Sequence, residues 1–451
     1  MHLHQLKYRR YLIRFVFITI DIALVISSIV ISSLVYNHRF NVTPLSILVI
    51  LIVVLSYSIC AYIYDINNVT KHNTLTNIIN NIILANVVSD IITVIAFFSI
   101  PFWHRKVYIL NCVLILLFSV LWRLLSIRLY NIIPNVTNLL IVASGPLKDE
   151  LIEILTHRYY FNVIGDVNVE LLDKDSDRFM LIFNEAIKGK NIKIMIVSSK
   201  TYNVPQILKI VYKLMSIGVQ VYDFNDVYEH LTGKAIISTD FTLVSSEYTF
   251  GRMRNDIYKY KVKPLIDKSL SGLFLLTLSP LVLIIAVAII VDSFWPILFV
   301  QKRIGLNEKI FSIFKFRSMR VNAGATPPSW TDIDDDRITY IGKIIRRYRI
   351  DEIPQLWNVL KGEMSLIGPR PEVPEFVKVF EKANSYYSLR HCVKPGITGW
   401  SQIKYKYAAS KEESMTKLQY DLYYIKNMSF TLDLYIIIET LKVVIIGRGA
   451  R

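Results

Sequence analysis

Residues 269–292 read SLSGLFLLTLSPLVLIIAVAIIVD. About 20 apolar residues are enough to cross ~30 Å of hydrocarbon, so hydropathy alone makes this run a transmembrane helix. The flanking charge argues otherwise. Arg252, Arg254, Lys259, Lys261, Lys263 and Lys268 precede it against Asp256 and Asp267; Lys302, Arg303, Lys309, Lys315, Arg317 and Arg320 follow it against Glu308 alone. Strong positive charge at both ends suits a segment whose two ends face the same cytoplasm. Near the centre, Pro280 removes a helical N–H bond and crowds the preceding turn. The adjacent Ser279 hydroxyl is a suitable donor to a carbonyl freed in lipid. On these residues alone, a straight span and a helix bent at Ser279-Pro280 that dips into one leaflet and returns stand level.

Upstream, four further apolar stretches open the chain, at Phe15–Tyr36, Leu45–Tyr64, Ile78–Pro101 and Val107–Trp122. The third carries Asn80, Asn81, Asn86 and Asp90, which predicts that the third and fourth helices pack polar faces together. Lys7, Arg9 and Arg10 precede the first stretch, and Arg123 and Arg128 follow the fourth. Four spans put both clusters in the cytoplasm; Arg39 opposes this weakly, and the Arg105-Lys106 pair is a real exception to it. No small-residue cleavage site follows the first stretch, so a removed signal peptide is not expected. The whole composition agrees with a membrane protein: of 451 residues, 53% are hydrophobic and 20% charged. A chain of this length suggests about three domains. The net charge of +16 lies largely beside the apolar segments, which favours anionic lipid and substrate phosphates and argues against nucleic acid. Cys60, Cys112 and Cys392 are far apart and odd in number, so they are expected as reduced thiols without a disulfide framework or CxxC metal site.

From Asn138 the pattern changes. NLLIVAS, NIKIMIVSS and VQVYDF are short strands, while LKDELIEILTHRY and VPQILKIVYKLMSIG have helical periodicity. This predicts an α/β module of Rossmann type. Its first strand ends in Ala143-Ser144-Gly145-Pro146 rather than G-x-G-x-x-G, and Pro146 offers no N–H to a pyrophosphate. NAD binding is therefore not expected there; a structural or regulatory role is.

The chemistry concentrates downstream. Asp351 and Glu352 stand side by side just ahead of Pro354 and the helical QLWNVLK, which puts them near a helix N-terminus. Such a pair alone is ordinary capping. Here Arg346, Arg347 and Arg349 precede it, and Gly368-Pro369-Arg370-Pro371-Glu372 confines Arg370 between two prolines, a prepositioned fork for phosphate. Two adjacent anions set among arginines call for a further anion from outside the protein. Lys394-Pro395-Gly396-Ile397-Thr398-Gly399-Trp400 adds another rigid turn beside a basic residue. The final apolar stretch from Phe430 contains Asp433, Glu439 and Lys442, which suits an interfacial helix or a core helix better than a span.

Taken in order, KxxxxxxxLTLSPLVLIIAVAI, QKRIG, FKFRSM, DDDRIT, IGKIIRRYRIDEIPQLWNVLKGEMSLIGPRPE, KPGITGWSQI and YDLYYIKNMS resemble the bacterial sugar transferase family, the monotopic polyprenyl-phosphate hexose-1-phosphate transferases, over Tyr258 to Arg451. The upstream part is similar to the family's long form, which begins O-antigen, capsule or exopolysaccharide repeat units and points to a homodimer. The resemblance implies residues 1–130 as a four-helix transmembrane bundle, 131–245 as a degenerate Rossmann-like module, and 246–451 as a mainly α (α+β) catalytic domain. It favours a re-entrant helix at about 268–292, broken at Ser279 and Pro280. It also implies a reaction in which UDP-hexose and undecaprenyl phosphate give undecaprenyl-diphospho-hexose and UMP. Asp351 is then the nucleophile and Glu352 its partner, as metal ligand or base, with Mg²⁺ held by the two carboxylates. Arg370, Arg346 and Arg347 are implied as phosphate holders, with Arg303, Arg317 and Arg337 at further basic positions of the family motifs. The expected location is the bacterial inner membrane, with the catalytic domain on its cytoplasmic face and against inner-membrane lipid. The competing expectation is a non-catalytic membrane scaffold or sensor that binds nucleotide or anionic lipid.

Overall fold

The computed structural model describes the chain apart from residues 1–3, 38–43, 67–74, 99–104, 133–137, 159–160, 172–174, 200, 202–203, 238–256, 321–336, 406–410 and 447–451. Arg39, Arg252, Arg254, Asp256, the expected boundary at 245/246 and residues 334–336 of DDDRIT lie outside the described residues. So do the side chains of Lys7, Arg9, Arg10, Arg105 and Lys106. The chain is mostly helical, with several apolar helices and small sheets, and forms two compact units, Met1–Val227 and Tyr228–Arg451.

The first unit opens with α1 (His4–Asn37), α2 (Pro44–Ile63), α3 (Leu75–Phe98) and α4 (Arg105–Ile132). Phe15–Val35 and Val107–Arg128 are long and apolar enough to cross a membrane; Ile47–Ile63 and Ile78–Val94 are shorter apolar runs. α4 continues past Trp122, where the expected stretch ended, because RLLSIRLYNI keeps good helix formers. Polar side chains turn inward, as they must where the outward faces are apolar. Arg123 pairs with Asp21 at 2.7 Å, the two being 1% and 4% exposed. Ser28 Oγ donates to Asn111 Oδ1 at 2.8 Å. The polar faces of α3 and α4 meet as expected: Asn86 Nδ2 donates to Ser119 Oγ at 3.3 Å, and the Thr93 and Tyr108 hydroxyls share a 3.1 Å bond.

The same unit contains a four-stranded parallel sheet in the order β2-β1-β3-β4: β1 (Asn138–Val142), β2 (Asn162–Val167), β3 (Ile194–Val197) and β4 (Gln220–Asp223). Helices α5 (Pro146–Glu153), α6 (Ser176–Ile187) and α7 (Pro205–Ser216) connect them. The inner strands β1 and β3 are continuous apolar runs, buried on both faces. The edge strand β2 was not anticipated; Gly165 and Asp166 interrupt its pattern. Gly145 takes φ 82° ahead of Pro146, the first residue of α5, a left-handed turn that suits glycine. Helix α8 (Phe224–Thr232) leads into the second unit.

The second unit is built around α9 (Lys263–Ser293). The helix runs on through Pro280, whose missing N–H leaves the Leu276 carbonyl without its usual partner. Ser279 Oγ donates to that carbonyl at 2.7 Å. A proline inside a helix costs about 3 kcal/mol, and a hydroxyl bond recovers about 1 of it. The N-terminal half of α9 is fastened by a buried network. Asp433 accepts from Lys263 Nζ at 2.6 Å, Tyr258 OH at 2.6 Å and Tyr424 OH at 2.8 Å, while Asp267 accepts from the Leu366 N–H at 3.2 Å. In the C-terminal half, Ile285 and Ile289 form a core with Phe316 and Ile345.

After α9 come the hairpin β5 (Leu298–Ile304) and β6 (Ile310–Phe316), in register from Leu298↔Phe316 to Ile304↔Ile310, then α10 (Tyr340–Arg347) and α11 (Gln355–Lys361). Strand β7 (Ser365–Ile367) pairs in parallel with β8 (Gly396–Thr398); α12 (Pro374–Ala383) lies between them in sequence. Helices α13 (Trp400–Lys404), α14 (Lys411–Asn427) and α15 (Phe430–Ile446) close the unit. Trp400 is core rather than merely turn. It stacks on Tyr423 at 5.6 Å between centroids, and its Nε1–H donates to the Gly233 carbonyl at 2.8 Å. Helix α15 buries Asp433 and Ile436 while Phe430, Leu434 and Leu441 face outward, so it is a core helix with an exposed apolar stripe.

Candidate active site

Four pieces of the second unit converge on the acidic pair: β6, the end of α10, the turn before α11, and the loop after β7. Asp351 and Glu352 lie on a short 3₁₀ turn, Ile350–Glu352, ahead of the seven-residue α11. The residue before that turn, Arg349, sits at φ 54°, ψ 24°, a left-handed conformation that costs a non-glycine residue about 1–2 kcal/mol. Two bonds hold it there: Arg349 N–H donates to the Arg346 carbonyl at 3.1 Å, and Glu352 N–H to the Arg349 carbonyl at 3.2 Å. Strain of this kind persists where surrounding structure over-determines the backbone, and it is concentrated at functional turns. Asn358, fully buried on α11, fixes the turn from behind: it donates to the Ser312 carbonyl at 2.8 Å and accepts from Phe314 N–H at 3.2 Å, locking α11 to β6.

The two carboxylates are treated unequally. Glu352 is buried, and its Oε1 accepts from Arg370 Nη2 at 2.6 Å and from Lys315 Nζ at 3.4 Å. Burial by itself would raise its pKa, but Arg370 and Lys315 outweigh that and hold the carboxyl far below the usual range. Asp351 is half-buried, and among the described residues its carboxylate makes neither a hydrogen bond nor an ion pair. Burial, and then the charge of Glu352, push its pKa up; Lys315, Arg370 and Arg346 pull it back in part. The cations around the pair, rather than the weak dipole of a seven-residue helix, therefore set its charge balance.

Arg370 is itself held. Its carbonyl accepts from Arg390 Nη2 at 2.9 Å, and Arg390 is ion-paired with Asp421 at 2.8 Å, both about 98–99% buried. Asp421 accepts in turn from Ser401 Oγ at 2.6 Å. Glu372 pairs with Lys417 at 2.5 Å and with Arg303 at 3.7 Å; against burial, which raises its pKa, Lys417, then Arg390 and Arg303, bring it down to about 2. Gly368, Gly396 and Gly399 bring the GPRPE and KPGITGW turns into backbone contact that no Cβ would allow; Gly396 N–H donates to the Pro369 carbonyl at 2.9 Å. The two turns thus form one rigid floor.

A family model described as bacterial sugar transferase matches residues 258–447, which include every element of this site. An uncharacterized sugar transferase, EpsL, of Bacillus subtilis (strain 168) is 38% identical over 194 residues, covering 42% of this chain and 89% of its own length. The chain belongs to the bacterial sugar transferase family. Other relatives match over a smaller share of themselves. A UDP-N-acetylgalactosamine-undecaprenyl-phosphate N-acetylgalactosaminephosphotransferase of Aeromonas hydrophila is 39% identical over 52% of this chain and 54% of its own length. An undecaprenyl-phosphate glucose phosphotransferase of Komagataeibacter xylinus is 43% identical over 42% of this chain and 36% of its own length. The chain thus spans about half or less of the length of these two curated relatives.

In this bacterial sugar transferase the residues singled out from sequence separate into groups. Asp351, Glu352, Arg370 and Arg346 share one electrostatic site. Arg347 is exposed, its guanidinium 6.0 Å from the Tyr348 ring. Arg303 serves the loop: it donates to the Pro371 carbonyl at 3.1 Å and to Gln301 Oε1 at 2.7 Å. Arg317 caps the end of α9, donating from Nη2 to the Ser293 carbonyl at 2.6 Å, to Ser293 Oγ at 2.7 Å and to the Phe294 carbonyl at 2.6 Å. Arg337 takes part through its carbonyl, which accepts from Arg320 N–H at 2.9 Å. Sequence reasoning did not single out Lys315 or the Arg390–Asp421 pair. A lysine inside the otherwise apolar strand FSIFKF was the available signal for the first; no local pattern marks the second, whose partners are 31 residues apart.

Proposed function

We propose that the chain transfers a hexose-1-phosphate from UDP-hexose to undecaprenyl phosphate and releases UMP, by way of an aspartyl-phosphosugar on Asp351. The observation that carries this reading is the contrast within the pair: Glu352 Oε1 is engaged by Arg370 and Lys315, while among the described residues the Asp351 carboxylate has no hydrogen bond or ion pair and is of raised basicity. An Asp351 oxygen attacks the β-phosphorus; the bond from that phosphorus to the bridging oxygen breaks, and UMP leaves with the oxygen. A phosphate oxygen of the lipid then attacks the same phosphorus, the acyl-phosphate P–O bond breaks, and the Asp351 carboxylate is regenerated. Arg346 and Arg370 lie where an incoming diphosphate needs neutralising. Glu352, an ion-paired carboxylate and a weak base, orients Arg370 rather than acting as a general base. Hard carboxylate oxygens with Asp351 unengaged suit Mg²⁺, which would be held by Asp351 and Glu352 and would supply charge neutralisation for the diphosphate.

Re-entry of α9 is supported by its packing. Lys263 and Asp267 are fastened to α15 and β7, and Ile285 and Ile289 pack on β6 and α10, so elements of one domain touch the helix on both sides of Pro280. A straight transmembrane helix would meet that domain at one end only. Its outward residues Leu276, Leu283, Ile284 and Val291 are 66–79% exposed, an apolar surface suited to the inner leaflet. Basic flanks favour the cytoplasmic face, where sugar nucleotides are available. The parallel sheet of the first unit fits a Rossmann-type module, with Pro146 in place of a pyrophosphate-binding N–H.

Purified protein incubated with UDP-[³H]hexose and no lipid acceptor is expected to retain label covalently and to release one UMP per chain. Asp351→Asn is expected to lose the label and at least about 10³-fold in turnover while still binding donor. Turnover by that variant at a substantial rate would overturn the covalent step. Because the printed names of relatives include both glucose and N-acetylgalactosamine donors, the trapping is done across a panel of UDP-sugars.

A further inference from the structure

The β5–β6 turn, α12 and the turn Ser385–Cys392 bring together three metal-ligating side chains outside the residues assigned to the transfer. One carboxylate oxygen each of Glu308 and Glu381 and one imidazole nitrogen of His391 all lie within 4.8 Å of one another. Among the described residues neither glutamate is ion-paired with a cation, so two like charges face each other at the edge of the surface. His391 is 7% exposed, and its buried Nδ1 makes no hydrogen bond. A buried imidazole with an orphaned nitrogen, one ring nitrogen of which lies within reach of two carboxylates that no cation pairs among the described residues, is an arrangement that a bound cation satisfies.

We propose that Glu308, Glu381 and His391 form a binding site for a first-row divalent cation, completed by water and separate from the Asp351–Glu352 pair. The donor set decides the class. One imidazole with two carboxylates suits Mn²⁺ or Zn²⁺, whereas Mg²⁺ and Ca²⁺ favour all-oxygen ligands. Occupied, the site ties the hairpin tip at Glu308 to α12 and to the turn that carries Arg390. Arg390 donates to the Arg370 carbonyl, so the ion braces the GPRPE loop from behind. This inference does not depend on the transfer chemistry, and its test reads binding rather than turnover.

The test is Mn²⁺ titration of the tag-free full-length chain in detergent, followed by electron spin-echo modulation. A site containing His391 gives directly coordinated ¹⁴N coupling, which an all-carboxylate site lacks. The coupling is expected in the wild-type chain and in Asp351→Asn, and absent in His391→Ala. Glu308→Gln, at an exposed hairpin tip where the fold is not at risk, is expected to weaken the ¹⁴N-coupled site at least ~10-fold. Mn²⁺ bound without ¹⁴N coupling in the wild-type chain, coupling that survives in His391→Ala, or unchanged affinity in Glu308→Gln would each overturn the site.

Discussion

At Asp351 the relevant quantity is the difference between two adjacent carboxyls. Neighbouring carboxylates in a partly buried site cannot both ionise at ordinary pKa values, and the pair titrates as a unit. Here Arg370 and Lys315 assign the low value to Glu352 and leave the raised one to Asp351. A raised pKa keeps Asp351 protonated, and so non-nucleophilic, to a higher pH than a free aspartate. The acid limb of kcat/KM should therefore lie above the ordinary aspartate value of 3.8, with the rate rising through it and then levelling. Arg370→Gln removes a cation that lowers both carboxyls, so the limb should move to higher pH and turnover should fall by about 10²-fold. A pH–rate profile of the two proteins decides; an unmoved or lowered limb would show that Arg370 does not set the pair's charge. The pair itself was visible in sequence as two anions among arginines. The resemblance implied Asp351 as the nucleophile, but the residues alone did not show what separates the two, because that depends on Lys315 and Arg370, at separations of 37 and 18 residues from Glu352.

The informative element is α9. Its 31 residues would reach about 46 Å at 1.5 Å per residue, more than enough to span. Pro280 and Ser279 make the centre tolerant of a bend, and contacts on both sides of that centre bind it to one domain. With Cys392, the exposed native cysteine, replaced by Ser, Lys302→Cys on β5 should resist a membrane-impermeant maleimide in intact spheroplasts and react once they are permeabilised. Labelling from outside would exclude re-entry. Pro280→Leu in the same background restores the helical bond, favouring a straight helix by up to about 3 kcal/mol, and should expose part of the thiol population. Charge at both flanks raises re-entry to an equal footing with a span, and hydropathy does not separate the two. Packing supports the re-entrant reading, since Asp267 and Ile289 meet different parts of one domain.

Across the whole molecule, buried ion pairs recur: Arg123–Asp21 inside the four-helix bundle, Lys263–Asp433 beneath α9, and Arg390–Asp421 behind the GPRPE loop. Removing one partner strands the other's charge in a low-dielectric interior, which costs about 3–5 kcal/mol. Arg123→Ala should therefore lower the thermal stability of the detergent-purified protein, and adding Asp21→Leu should recover much of the loss. Failure of the double variant to recover would mean that the pair is a packing contact rather than a compensated charge. The apolar helices, the α/β character of the middle module, the carboxylate pair and the family were legible in the chain before folding, because hydropathy, periodicity and motif spacing are local properties. The sequence by itself did not determine which carboxyl is unengaged, that Arg317 caps a helix while Arg370 holds Glu352, or that Glu308, Glu381 and His391 meet. Those depend on distances between residues remote in the chain, and a distance of that kind exists only once the chain has folded.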